Sequence, residues 1–128
     1  MKVCDFDGEC RVDTDAALLT RLRSVRRGLD GAFILSHDSD SALWVHINGE
    51  AAFLGYFPNQ NGGHPVFVPH EMWTGEQRDV RFLLVGGDEG SAIQVLWYQL
   101  VPLEVAYQAA VDYLHSPTLP RLVRWLEM

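Results

Sequence analysis

Positive charge is scarce in this chain: 10 Lys and Arg stand against 17 Asp and Glu, leaving a net charge of −7 over 128 residues. An excess of carboxylates repels nucleic-acid backbone and anionic membrane, while it speeds encounter with a basic partner. No direct nucleic-acid binding and no membrane binding are therefore expected. Acidity for solubility alone is the plainer alternative. Cysteine is nearly missing too, with only Cys4 and Cys10. In a reducing cytosol two such cysteines are expected as free thiols. No stretch approaches the ~18 consecutive apolar residues of a membrane helix. The start, Met1-Lys2-Val3-Cys4-Asp5, lacks a basic region followed by an apolar run and a small-residue cleavage site. The expectation is a soluble, cytoplasmic protein.

Motifs that carry chemistry are lacking as well. Five histidines (His37, His46, His64, His70, His115) invite a metal reading, but neither HExxH nor CxxC accompanies them. The GxSxG elbow is absent, and Cys4 and Cys10 have no basic neighbour except Arg11 to lower a thiol pKa. Gly86, Gly87 and Gly90 are followed by no Lys-Ser/Thr pair, and Asp88 and Glu89 would repel a phosphate, so a hairpin turn explains them better. No catalytic residue, metal ligand set or cofactor is assigned on these grounds. The alternative is a small-ligand or metal-binding domain, or an enzyme, built on the His64–His70 loop, where Glu71 and Trp73 lie close by.

What is present is the balance of an ordinary globular protein, 48% hydrophobic and 21% charged. At this length one core is expected, burying roughly two-thirds of the unfolded surface, and the chain reads as a single domain over residues 1–128. Its charge is unevenly spread. Residues 1–37 carry six acids and six bases. Residues 38–112 carry ten acids (Asp38, Asp40, Glu50, Glu71, Glu76, Asp79, Asp88, Glu89, Glu104, Asp112) against Arg78 and Arg81, a balance of −8.

Hydrophobic periodicity places the elements. Val3 to Val12 reads either as one strand broken near Gly8 or as two short strands around a turn. Asp13, Thr14 and Asp15 supply cap and first-turn chemistry for a helix whose apolar stripe is Leu18, Leu22, Val25 and Leu29, ended by Gly28 or Gly31. Arg23, Arg26 and Arg27 lie off the stripe at its C-terminal end, where cations complement the helix dipole. Strands are expected over Ala32–Ser36, Ala42–Ile47 and Ala51–Phe57, with His37-Asp38-Ser39-Asp40-Ser41 and Asn48-Gly49 as turns. Pro65 and Pro69 argue against a central strand between them. Val80–Val85 and Ala92–Leu100 are read as the last strands of the sheet. Pro102 and Glu104 open a second amphipathic helix carrying Ala106, Ala109, Ala110, Tyr113 and Leu114. Pro117 and Pro120 stop it, and Leu122–Leu126 forms a final short strand or extended segment. The sum is an α+β fold, an antiparallel β-sheet of about five or six strands with two helices packed on it.

Trp44, Trp97 and Trp125 sit in apolar runs and read as core or its margin. Trp73, in His70-Glu71-Met72-Trp73-Thr74-Gly75-Glu76, is either a binding anchor or a cover folded back over the sheet edge.

The stretch Val101-Pro102-Leu103-Glu104-Val105-Ala106-Tyr107-Gln108-Ala109-Ala110-Val111-Asp112-Tyr113-Leu114, followed by Pro120 and Arg124-Trp125-Leu126, resembles the end of the first immunity-protein family of bacterial polymorphic toxin systems. Phe53-Leu54-Gly55-Tyr56-Phe57-Pro58 resembles that family's central strand. Together these cover about a third of the chain. The resemblance implies a small cytoplasmic protein that neutralises a cognate toxin domain, frequently a nucleic-acid deaminase, by covering its active site. The matching residues are framework, so the resemblance transfers no functional position. Charge and loop placement select the candidate partner-binding residues: Asp38, Asp40, Glu50, Glu71, Trp73, Glu76, Asp79, Asp88 and Glu89, facing a basic toxin domain.

Overall fold

A computed structural model describes residues 1–38, 40–60, 65–85 and 91–128. The chain opens with a hairpin, β1 (Lys2–Asp5) and β2 (Gly8–Arg11). Gly8 sits at φ 110°, a conformation that a side chain resists, so the hairpin turns here and the two-strand reading of the first segment holds. Val3 lies opposite Cys10 and Cys4 opposite Glu9. Because side chains alternate across a strand, Cys10 shares the core face with Val3 while Cys4 points to the other face. Both thiols are free.

Helix α1 (Asp15–Ser24) is capped by Thr14, whose side chain accepts from the Ala17 N–H at 3.1 Å. Leu18, Leu22 and Val25 are buried, but Leu29 is 68% exposed. The expected stripe therefore ends one turn early. Arg26 Nε donates to the Leu22 carbonyl at 3.0 Å, taking the place of the next backbone N–H. Gly28, at φ 66°, then turns the chain back, with Arg27 and Asp30 exchanging backbone hydrogen bonds of 2.8 and 3.2 Å. This turn leads into β3 (Asp30–Ser36), followed by β4 (Ala42–Asn48) and β5 (Ala51–Phe57) as an antiparallel meander. Gly49 takes φ 61° between β4 and β5, but Asn48 pairs with Ala51, so the two-residue loop is Gly49–Glu50, one residue later than the expected Asn48-Gly49 turn.

The remaining elements are β6 (Phe67–Pro69), β7 (Val80–Leu83), β8 (Ala92–Val95), β9 (Val101–Pro102), α2 (Leu103–His115) and β10 (Trp125–Glu127). Among the described residues the main sheet has eight strands in the order β10-β6-β5-β4-β3-β1-β2, with β9 also on β5. The α+β class holds. The sheet is wider than five or six strands because β6, β9 and β10 have only three, two and three residues and leave little periodic signal. Phe67–Pro69 pairs on both sides despite its proline, with Tyr56 opposite Phe67 and Trp125 opposite Pro69. Pro69 is tolerated at the strand's last position, where the chain is leaving β5.

Pairing register separates two faces. Leu35 lies beside Leu43 and Tyr56, and Phe33 beside Val45 and Leu54; all face the helices. Ala106, Ala109 and Ala110 let α2 approach this face closely, and Tyr113 is fully buried against it. The opposite face carries Ala32, His46 and Phe53 in one row and Ile34, Trp44 and Gly55 in the next. The segments expected as the last strands of the sheet cover this second face instead. β7 and β8 form a separate two-stranded sheet, and Phe82 and Val95 close a second core with Ala51, Phe53, Val68 and Leu100. The expected strand Ala92–Leu100 stops at Val95 and passes into a 3-10 turn at Trp97–Gln99. Covered on both faces, β5 is buried at all seven residues, which accounts for its unbroken apolar sequence. Gly55 leaves room for Pro65, whose Cβ would lie 3.1 Å from a Cβ at that position.

Candidate functional site

The predicted partner-binding residues divide between the two ends of the sheet. Asp38 and Asp40 are exposed on the β3–β4 turn. Glu50 follows Gly49 at the other end of β4, a seven-residue strand that spans roughly 20 Å. Asp88 and Glu89 lie outside the described residues.

Glu71 and Asp79 have structural employment. Glu71 takes φ 56°, and its N–H donates to the Tyr98 carbonyl at 2.9 Å. Its carboxylate lies 3.3 Å from His70 Nε2 and 3.7 Å from an Arg124 nitrogen. Asp79 accepts the Trp97 N–H at 3.1 Å, fixing the turn after β8. The Asp79 carboxylate and the Glu71 backbone thus tie the loops to one another, while the Glu71 carboxylate stays exposed beside Arg124.

Trp73 brings the rest into one place. It is half-buried against the second core, and its indole N–H donates to the Glu76 carbonyl at 2.9 Å. A Cβ on Gly75 would lie 2.4 Å from the Trp73 ring, so glycine is what permits this tight fold-back. Trp73 thus folds back onto the second face of the sheet and not onto its edge, and it also forms the wall between two surface grooves. The first, about 370 Å³, is lined by Leu29, Glu50, Trp73, Glu76, Arg78 and Val80. The second, about 350 Å³, is lined by Glu50, Trp73, Pro102, Leu103 and Glu104. Glu50 and Trp73 belong to both. Three of the acids from the one-signed middle of the chain converge here, with Arg78 the one basic side chain lining either groove among the described residues.

Two contributors went unnoticed in the sequence. Glu104 reads there as a helix first-turn acid, which it also is. Leu29 reads as core because it continues the α1 spacing. The Arg-Arg-Gly run before it was the available sign that the helix stops short.

The four described histidines are each engaged separately. His64 lies outside the described residues, and among those described no group of three or more His, Cys, Asp or Glu is placed to hold a metal ion. His115 Nε2 pairs with Asp15, joining the last turn of α2 to the first turn of α1. His37 Nε2 donates to the Tyr113 carbonyl at 2.9 Å. His46 is 2% exposed, and its Nδ1–H donates to the Leu83 carbonyl at 3.1 Å, docking β7 on the sheet. Burial pushes its pKa down to about 4. Burial also pushes the Cys4 thiol up, as do the neighbouring charges of Glu9 and Asp5, which keeps it protonated.

The arginines at and just beyond the end of α1 are likewise engaged. Arg26 donates to the Tyr107 hydroxyl at 2.9 Å, and Arg23 lies 5.3 Å from the centre of the same ring. Arg27 stacks over Phe6 at 4.3 Å.

No protein-family model matches the chain, and no curated protein matches it. Among the described residues no helix is long and apolar enough to cross a membrane.

Proposed function

We propose that this chain is an immunity protein that binds a cognate bacterial toxin domain and neutralises it by covering its active site, stoichiometrically and without cofactor or turnover. The toxin in this reading is a nucleic-acid deaminase or another nucleic-acid-targeting enzyme acting in the cytoplasm. The observation that carries the reading is the distribution of carboxylates: a −8 middle segment whose Glu50, Glu76 and Glu104 meet around Trp73. A toxin that grips nucleic acid presents a basic cleft, and displayed carboxylates both occupy such a cleft and steer association. The family resemblance of Phe53–Pro58, Val101–Leu114, Pro120 and Arg124-Trp125-Leu126 supports the same reading.

The test is co-expression with the C-terminal domain of the protein encoded by the neighbouring gene, the expected toxin. Restored growth and 1:1 co-purification are expected; toxicity that persists with no complex recovered overturns the reading.

A further inference from the structure

The two grooves beside Trp73 differ in a way that specifies what could fill them. In the first, Arg78 lies 3.9 Å from Glu76, so one of its two carboxylates is paired within the chain, and the other, Glu50, is shared with the second groove. Apolar surface stands beside them. Leu29 is 68% exposed, far more than an ordinary core leucine, and Val80 and the Trp73 indole stand with it. The lining of the second groove holds Glu50 and Glu104 and no basic side chain, although Glu104 also borders Arg23 on its other side and Glu50 borders Arg78; Trp73, Pro102 and Leu103 supply apolar walls. The first backbone N–H of α2, on Leu103, is taken by the Glu50 carbonyl at 3.1 Å, so it does not offer itself to an anion.

We infer that this surface takes a basic segment of a protein partner astride Trp73, an arginine entering the Glu50–Glu104 groove and an adjacent apolar side chain resting on Leu29. The partner's identity rests on the immunity reading; the chemistry of the surface does not. Charge complementarity selects a cation. The combination of an indole wall with two carboxylates selects arginine over lysine, because a planar guanidinium stacks on an aromatic ring and reaches two acceptors at once. Apolar contact beside a polar rim is the ordinary anatomy of a protein–protein contact.

The probe is the capped tetrapeptide acetyl-Gly-Leu-Arg-Gly-amide, titrated to about 10 mM against the isotope-labelled full chain at low salt, a range that captures millimolar affinity. The indole N–H resonance of Trp73, assigned with Trp73→Phe, is expected to move. The lysine version should bind more weakly and the glutamine version not at all. Glu50→Gln with Glu104→Gln should weaken arginine-peptide binding about fivefold, the effect of losing exposed ion pairs, without disturbing resonances elsewhere. A Trp73 resonance that stays still, or a double variant that titrates like the parent, overturns the inference. So does undiminished binding of the toxin domain by the double variant, which would leave the immunity reading standing. Peptide binding as expected with no toxin domain recovered supports the surface and sinks the immunity reading instead.

Discussion

The guanidinium of Arg21 grips the carboxylate of Asp5 through two hydrogen bonds, Nε to Oδ2 at 2.7 Å and Nη2 to Oδ1 at 3.0 Å. The Asp5 side chain is fully buried and that of Arg21 is 28% exposed. The pair ties α1 to the end of β1, and Asp5 also accepts the Asp7 N–H at 3.0 Å within the hairpin turn. Asp5 raises the pKa of Arg21 further above its already high ordinary value.

Removing the two partners should not cost the same. Arg21→Ala strands a buried carboxylate and is expected to destabilise by about 3 kcal/mol, at the low end for a broken buried pair. Asp5→Ala leaves an arginine that can swing into solvent, so the loss should be nearer 1–2 kcal/mol, roughly what lost hydrogen bonds to a charged group cost. Urea denaturation of both variants and of the double variant checks this order. Equal losses would mean that the carboxylate is not the costly partner.

His46 makes stability depend on pH. Its folded pKa, about 4, lies below the ordinary 6.5, so the unfolded chain binds the extra proton between these values. The neutral-histidine contribution is complete above about pH 6.5 and is lost as pH falls toward 4, a swing of about 3 kcal/mol. Wild type should therefore lose about that much more stability than His46→Phe between pH 7 and pH 4, whatever the carboxylates contribute to both. Parallel stability curves for the two proteins would contradict the burial of a neutral ring.

Gly75→Ala tests the fold-back of Trp73. The new Cβ would press 2.4 Å from the indole, and the ring must move. A loss of about 1–2 kcal/mol is expected, in line with overpacking at a partly relaxed site. The indole N–H of Trp73 should shift as its bond to the Glu76 carbonyl loosens. A variant of unchanged stability and spectrum would show that the loop does not hold the ring closely.

The elements legible in the sequence were those with repeated local signals. β3, β4 and β5 follow from short apolar runs separated by turn signals such as Asn48-Gly49, and α2 from Pro102, Glu104 and its alanine-rich face. The errors came where local signals compete with packing. Leu29 has helical spacing, yet an Arg26 side chain capping Leu22 and a positive φ at Gly28 end α1 before reaching it. Val80–Leu83 and Ala92–Val95 have strand composition, but nothing local states which sheet they join.

The candidate site divides the same way. Acidity of residues 38–112 could be counted, and Trp73 singled out, because charge and residue type belong to the chain itself. By contrast, Glu50, Glu76 and Glu104 converge only because the β4–β5 turn, the Trp73 loop and the start of α2 meet at one end of the sheet, while Asp38 and Asp40 go to the other. The sequence by itself determined the residues' chemistry, the strand and helix periods and the total charge. The tertiary structure alone decided which carboxylates are spent on holding loops and which face outward together, since long-range pairing is set by burial of two sheet faces and leaves no mark on neighbouring residues.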